Sequence, residues 1–203
     1  MRYEAARIGV LGGTFDPFHN GHIAIAMAAV NACKLDELIF VPAGNPWMKA
    51  GKTLSSPFHR LTMTKNATQN YEKFTVSSIE VDKVGPSYTV ETLEQIQEEK
   101  GKNLYLIIGA DSIERFSEWK DSSRILSLSR LVIAARPQYK LSNLNLEIVN
   151  NSKHTITTIA DININISASE IRQKVFLGES IGSMVPKAVA TYIKLNNLYK
   201  DEV

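Results

Sequence analysis

Short apolar segments of β-strand character alternate with helix-like segments along most of this 203-residue chain. Strands are predicted at 7–11, 37–42, 74–81, 103–109 and 129–137, with shorter ones at 154–161 and 162–166. Helices are predicted at 22–34, 57–70 and 88–100, and from Ala168 and Pro186. Strands that alternate with helices form a parallel sheet covered on both faces. The sequence therefore predicts an α/β fold, a doubly wound parallel sheet with helices on both faces and two C-terminal helices.

The chain's size and composition fit one globular domain. Its 203 residues are 44% apolar, which supplies one sizeable core, and neither a repeat nor a long linker divides them. We therefore expect a single domain over residues 1–203. The sequence shows no signal-peptide pattern and no apolar run long enough to cross a bilayer, so we expect a cytoplasmic protein with no membrane partner.

Charge and cysteine content argue against two further classes of function. The net charge of +2 lacks the excess of basic residues expected of a nucleic-acid-binding surface. Cys33 is the single cysteine, so an internal disulfide or a thiolate zinc cluster is excluded. Scattered apolar surface residues leave a homo-oligomer open.

Ligands of doubly wound sheets bind beyond the carboxyl ends of the strands, where the topology switches direction. Four parts of the chain follow predicted strands in this way: Gly12 to His22, Pro42 to Lys52, Gly109 to Trp119, and Arg136. Residues 43–57 have the Gly, Lys and Ser content typical of a mobile loop. We expect the functional site to be built from these segments.

The segment after the first predicted strand, GVLGGTFDPFHNGH at 9–22, does not match the glycine spacing of the dinucleotide fingerprint. Gly12 and Gly13 allow backbone amides to approach a ligand closely. His19 and His22 are three residues apart across a helix start, so both can face the same ligand. This pattern favours a phosphate site. A zinc site is disfavoured because no third ligand stands at a familiar spacing, and His59 is interpreted as a core residue.

A second phosphate element is predicted near the end of the chain. Ser167 and Glu170 have the spacing of a capping box, which by itself only starts a helix. Arg172 lies one turn into that helix, where its permanently charged fork can bind phosphate beside the positive helix end.

The motif GGTFDPFHNGH is similar to the signature of the HxGH-motif nucleotidyltransferase superfamily, and the whole chain resembles bacterial nicotinate-nucleotide adenylyltransferases within it. Five more segments follow that family's order: VPAGNPWMK, GPSYTVETL, GADSIERFSEW, AARP and ISASEIR. The resemblance implies a Rossmann-like fold and an enzyme of NAD biosynthesis. It would transfer the adenylyl group of ATP to nicotinate mononucleotide by direct in-line attack, without a covalent enzyme intermediate, with Mg²⁺ carried by the ATP phosphates.

The resemblance also implies the site residues. Four would hold and neutralise the reacting phosphates as catalytic residues: His19, His22, Lys49 and Arg172. ATP would be bound by Gly12, Gly13, Thr14, Phe15, His19, Gly21, His22, Asp111, Ser167, Ser169 and Arg172. Nicotinate mononucleotide would be bound by Ser87, Tyr88, Thr89, Trp119 and Arg136. No resident metal ligand is implied.

Two departures from the family pattern and two rival functions accompany this interpretation. Pro46-Trp47-Met48-Lys49 stands where relatives often have Pro-Pro-His-Lys, and Ala168-Ser169 replaces a Ser-Thr pair. One rival function is adenylyl transfer to nicotinamide mononucleotide or phosphopantetheine, against which the SYT stretch at 87–89 and Trp119 argue. The other is a non-catalytic nucleotide sensor, which would tolerate losing some of the histidines and basic residues that this chain retains.

Overall fold

The computed structural model describes residues 5–46, 54–135, 156–159 and 166–200, and these form an α/β structure around one parallel sheet. Its six strands are β1 (Ile8–Gly13), β2 (Glu37–Pro42), β3 (Phe74–Val76), β4 (Leu104–Gly109), β5 (Ser129–Ala134) and β6 (Thr157–Ile159). They lie side by side in the order β3-β2-β1-β4-β5-β6, and every neighbouring pair is parallel. The predicted doubly wound sheet is confirmed.

Seven α-helices connect and cover these strands within the described ranges. They are α1 (Asn20–Cys33), α2 (Pro57–Thr68), α3 (Thr89–Lys100), α4 (Ala110–Ile113), α5 (Ser122–Leu128), α6 (Ala168–Phe176) and α7 (Lys187–Leu195). A 3₁₀ turn, Phe116–Glu118, lies between α4 and α5. None of the described helices has the length and apolarity needed to span a bilayer.

The sheet buries side chains on both faces because its strands alternate between two cores. On β1, Leu11 packs with α1, α2, α6 and α7, whereas Val10 packs with α3 and α5 on the opposite face. On β4, Ile107 and Leu106 divide in the same way. The expected covering of both faces by helices, including the two C-terminal helices, is confirmed.

Local sequence accounts for the ends of several helices. Pro57 occupies the first turn of α2, and the Ser56 hydroxyl accepts a hydrogen bond from the backbone of His59. The helix α3 ends at Gly101, whose φ of +97° glycine adopts without strain. The helix α1 begins at Asn20, two residues earlier than predicted, because extended His19 is its N-cap.

The predicted strand at 74–81 is wrong in its second half. The strand β3 ends at Val76, and the Ser77 amide makes one more bond to the Phe40 carbonyl. Beyond it, Ser77 accepts from the Ile79 amide and Ser78 donates to Asp82, so local side-chain bonds replace sheet pairing. Of the two short strands predicted late in the chain, Thr157–Ile159 is present, whereas 160–165 lies outside the described residues.

Candidate active site

The topology places a crevice at the carboxyl end of β1. This strand pairs with β2 on one side and with β4 on the other. The connection from β2 to β3 runs towards one edge of the sheet, whereas the connection from β4 to β5 runs towards the other edge. Such a switch point opens a ligand cleft in parallel sheets. The loop from Gly13 to Asn20 runs along this edge and connects β1 to α1.

Buried aromatic rings support this opening loop from below. Phe15 is held at a φ of +52°, and both Phe15 and Phe18 are buried. Their rings contact the imidazole of His22, with centroid distances of 4.9 Å and 5.1 Å respectively. Both also pack on Phe40 of β2. The position of His22 is therefore fixed by the hydrophobic core rather than by solvent-exposed contacts.

The structure brings His19 and His22 together. Their rings are stacked, with centroids 3.7 Å apart and planes inclined by 22°. The His19 amide donates to Nδ1 of His22 at 3.1 Å, and the His22 amide donates to the His19 carbonyl at 2.9 Å. Because Nδ1 of His22 accepts a hydrogen bond, the proton of the neutral ring resides on Nε2. His22 thus presents an N–H donor from Nε2.

Burial controls the charge of His19. The residue is 8% exposed, and burial lowers the pKa of its imidazole to about 4. Its buried Nδ1 finds no hydrogen-bond partner within the described residues. His19 is therefore a neutral ring at pH 7 that can hydrogen-bond to a ligand but contributes no positive charge.

We expect this burial to make stability depend on pH. The unfolded chain binds the His19 proton below pH 6.5 and the folded chain only below about 4, so stability is lost as the pH falls between these values. The loss is on the order of 3 kcal/mol at pH 4. In urea unfolding, the free energy of unfolding of His19→Gln should fall by about 3 kcal/mol less than that of wild type between pH 7 and pH 4. The difference between the two proteins should be constant between pH 7 and 8; parallel curves down to pH 4 would contradict the assignment.

Asp16 joins distant parts of the chain at the opening loop. Its carboxylate accepts from the Tyr199 hydroxyl at 2.6 Å and from the Ser55 amide at 3.1 Å. Its carbonyl accepts from Nη1 of Arg172 at 2.8 Å. Burial and the neighbouring Asp16 raise the pKa of Tyr199, so the phenol remains a donor. Arg172, predicted to bind phosphate, is thereby anchored beside the histidine pair's loop, and its buried Nε has no partner within the described residues.

Arg60 is a buried site residue that the sequence interpretation missed. Its guanidinium, 1% exposed, donates to four backbone carbonyls in the loops after β1 and β2: Thr14, Ala43, Gly44 and Ser55. The available signal was its spacing, because Arg60 shares one face of α2 with buried Thr64 and Ala67. A cation on an otherwise buried helix face requires dedicated acceptors.

The predicted acceptor segment contacts the loop after β2. The Ser87 hydroxyl accepts from the amides of Gly44 and Asn45 at 3.1 Å and 3.2 Å, and the half-buried Glu80 lies nearby. Burial raises the pKa of Glu80, while hydrogen bonds from Thr92 and Ser87 lower it. The Ser87 hydroxyl, predicted to touch substrate, already accepts from these two loop amides. A Cβ on Gly44 would lie 1.8 Å from the Glu80 carbonyl oxygen, so this approach requires glycine.

Tyr88 and Trp119, also predicted for the acceptor, come from segments that meet in space. Lys120 places its ammonium 4.3 Å from the centroid of the Tyr88 ring and 2.6 Å from a Glu91 carboxylate oxygen. Trp119 is half-buried against Phe116, with centroids 5.4 Å apart. Its buried indole N–H has no partner within the described residues. Thr89 is the first residue of α3, so the helix start lies in the same region.

The remaining predicted residues are distributed along the same edge of the sheet or lie outside the described ranges. A Cβ on Gly12 would meet no protein atom within 4 Å, whereas one on Gly13 would strike the Phe15 ring. Ser167 caps α6 by accepting from the Glu170 amide at 3.2 Å, and its hydroxyl lies 3.2 Å from that of Ser169. Gly21 is buried in α1, Asp111 follows β4 on α4, and the Thr14 carbonyl accepts from Arg60. Lys49 and Arg136 lie outside the described residues.

Within the described residues, neither a metal-binding cluster nor the groove beside α7 offers an alternative catalytic centre to the carboxyl edge of the sheet. Within the described ranges, no three His, Cys, Asp or Glu side chains are close enough together to hold a metal ion. A groove of about 760 Å³ lies between α1, α2 and α7. None of the predicted site residues lines it, and it lacks the convergent titratable groups expected of a catalytic site.

Comparison with known proteins points to one family of enzymes. Residues 10–174 match the family model described as cytidylyltransferase-like. A probable nicotinate-nucleotide adenylyltransferase of Roseiflexus sp. (strain RS-1) is 40% identical over 97% of this chain and 100% of its own length. One from Clostridium botulinum is 37% identical over 97% and 99%.

Solved structures agree with this at the level of the fold. The nicotinic acid mononucleotide adenylyltransferase of Plasmodium falciparum, solved in complex with NaAD, superposes with a TM-score of 0.76 at 20% identity. The match covers 97% of this chain and 98% of that one. The same enzyme complexed with APC gives a TM-score of 0.77 at 19% identity, again over 97% and 98% of the two chains.

Proposed function

Because the chain belongs to the nicotinate-nucleotide adenylyltransferase family within the cytidylyltransferase-like proteins, we propose that it transfers the adenylyl group of ATP to nicotinate mononucleotide. The products are nicotinate adenine dinucleotide and pyrophosphate. One observation supports the chemistry more than any other: the stacked His19 and His22 rings lie on the loop to which Arg172 is also anchored. Hydrogen-bonding rings and a permanent cation are thus tied to one loop, to which we assign the triphosphate.

The reaction needs no protein nucleophile. A phosphate oxygen of nicotinate mononucleotide forms a bond to the α-phosphorus of ATP while the bond from that phosphorus to the β-phosphate bridging oxygen breaks. The attacking oxygen is already ionised at neutral pH, so no general base is required. Holding the two reactants in line can supply roughly 7–11 kcal/mol of the barrier reduction. Binding and orientation are therefore the main tasks of this chain's residues.

Each phosphate-binding residue has a distinct task in this proposal. His22 donates from Nε2 to a phosphate oxygen on which charge builds up during transfer. Neutral His19 holds His22 through its backbone amide and offers its own ring as a hydrogen-bonding group. Arg172 binds the leaving pyrophosphate with its charged fork, and Lys49 adds a second cation. ATP enters as its magnesium complex, a substrate that keeps several waters and needs no carboxylate cage from the protein.

Selectivity for nicotinate is assigned to the start of α3 and to Trp119. The positive end of α3, which begins at Thr89, favours a carboxylate over a neutral carboxamide by roughly 0.3–1 kcal/mol when exposed, and up to about 2 when partly buried. The electron-rich face of Trp119 attracts a cationic pyridine ring. Its buried indole N–H, which has no partner within the described residues, is a further hydrogen-bond donor in this region.

We expect Trp119→Ala to raise the KM for nicotinate mononucleotide about tenfold, because cation–π stacking is worth roughly 1–2 kcal/mol in a desolvated site. The KM for ATP should stay unchanged, since Trp119 lies on the acceptor side. Trp119→Phe is the matched control and should keep most of the affinity. Initial rates of pyrophosphate release, with each substrate varied in turn, give both constants. Equal losses for both substrates would indicate that Trp119 only supports the fold.

The function is tested by following pyrophosphate release from ATP and Mg²⁺ with a panel of acceptors. Nicotinate mononucleotide should support release and yield the dinucleotide. Release that prefers nicotinamide mononucleotide or phosphopantetheine would replace the proposed acceptor. Nucleotide binding without release would identify a sensor instead of an enzyme.

A further inference from the structure

We propose that Arg60 is a positioning residue for adenylyl transfer, which sets the distance between the loop that receives ATP and the loop that leads to the acceptor segment. This inference rests on the proposed function. Arg60 has no role in the chemistry described above, and its guanidinium is buried beneath both loops. It therefore acts through the backbone that it holds, not by contact with substrate.

The hydrogen bonds of Arg60 connect both sides of the crevice. Nη1 donates to the Thr14 carbonyl at 2.9 Å and also to the Ala43 carbonyl, so one nitrogen bridges the loops after β1 and β2. Nη2 donates to the Gly44 carbonyl at 3.0 Å, and Nε donates to the Ser55 carbonyl at 3.0 Å. One rigid planar group thus fixes four points of main chain relative to one another.

Two of these points, Thr14 and Gly44, lead directly to groups in the site. Thr14 follows Gly13 and precedes the turn that carries the two histidines. The amides of Gly44 and Asn45 donate to the Ser87 hydroxyl, and the Ser87 amide donates back to the Asn45 carbonyl at 3.0 Å. Ser87 lies two residues before the start of α3, to which the nicotinate carboxylate is assigned. A shift at Arg60 would therefore change the separation of the two half-sites.

The chemistry of the cage requires arginine. Four carbonyl oxygens converge on one buried point, and a guanidinium carries five N–H donors in a fixed fork, whereas an ammonium carries three around one atom. Burial lowers the pKa of Arg60 and the nearby Asp16 carboxylate raises it. Without a cation, the four carbonyl dipoles face one another without donors, so the loops are expected to separate.

The test compares Arg60→Met and Arg60→Lys with wild type and with Leu61→Ala. Leu61 is the neighbouring buried residue on α2, so its truncation weakens the packing of the same helix while the four Arg60 hydrogen bonds remain. For each protein, Tm is measured by calorimetry and kcat by pyrophosphate release. The Kd of each substrate alone is measured by titration calorimetry, with a non-hydrolysable ATP analogue and with nicotinate mononucleotide.

For Arg60→Met we expect kcat to fall ~100-fold while each separate Kd stays within about threefold, because misplacing intact half-sites by an ångström costs that much in rate. Arg60→Lys should fall between Arg60→Met and wild type. Leu61→Ala should lose Tm but keep its kcat per folded molecule.

The inference is overturned if Arg60→Met keeps wild-type kcat, or if one Kd rises as much as kcat falls, which would mean direct substrate contact. It is also overturned if neither Arg60 variant folds, because the residue is then required for the fold itself. An inactive wild type in the same assay would refute the proposed function instead.

Discussion

Replacing His22 with asparagine is expected to lower kcat for adenylyl transfer by ~10²–10³-fold, the typical cost of removing one donor that stabilises transition-state charge. Asparagine is the informative substitution because its amide oxygen can take the place of Nδ1 and still accept from the His19 backbone. It has no group at the position of Nε2. The local backbone is thus retained while the donor to phosphate is lost.

His22→Ala removes both the acceptor at Nδ1 and the donor at Nε2. Its kcat should match that of the asparagine variant, and its Tm should be lower. His59→Ala is the matched control, since His59 hydrogen-bonds to Tyr192 at 2.9 Å and has no role in the proposed chemistry. Single-turnover pyrophosphate release and thermal unfolding report on the two effects separately. Near-normal turnover in His22→Asn would remove histidine from the account of catalysis.

Replacing Arg172 with methionine is expected to reduce kcat/KM for ATP by ~30–1000-fold, which corresponds to about 2–4 kcal/mol for losing charge-assisted bonds in a buried site. Its guanidinium is anchored by the Asp16 carbonyl, so the fork is already oriented before ATP binds. Arg172→Lys keeps the charge but not the fork and should recover only part of the loss. Saturation kinetics with ATP varied at fixed nicotinate mononucleotide give the ratio.

Lys174→Met on the same helix is the control for Arg172. Lys174 pairs with Glu179 at the surface, at 2.6 Å, and should tolerate the change because exposed ion pairs contribute little. If Arg172→Met and Lys174→Met behave alike, Arg172 is not a phosphate ligand.

The sheet and the histidine pair could be predicted from sequence because both depend on local patterns. Hydrophobic periodicity indicates the alternating strands and helices, and helical spacing alone places His19 and His22 next to each other. The end of β3 at Val76 could not be predicted in this way, because residues 77–81 still alternate like a strand. These residues do not pair with the sheet because Ser77 accepts a local hydrogen bond and because Gly44 packs closely against the Glu80 backbone.

The supporting contacts of the site were invisible to local patterns. The spacing of Arg60 places it on a buried helix face, but only the fold shows that carbonyls from two loops accept its hydrogen bonds. The family resemblance assigns Ser87 to substrate, and only the fold shows that two loop amides donate to its hydroxyl. Residue types indicate which groups can bind phosphate, whereas long-range packing decides which groups hold them in place.

The bond between Tyr199 and Asp16 affects when a newly made molecule becomes competent. Protein synthesis begins at the amino end, so the opening loop emerges from the ribosome long before residue 199 is added. Until the phenol arrives, Oδ1 of Asp16 lacks the Tyr199 donor, and burying this oxygen would cost free energy although Oδ2 accepts from the Ser55 amide. A partly synthesised chain that has already formed most of its sheet would therefore still have an incompletely stabilised opening loop, and acquisition of activity would wait for translation to pass Tyr199.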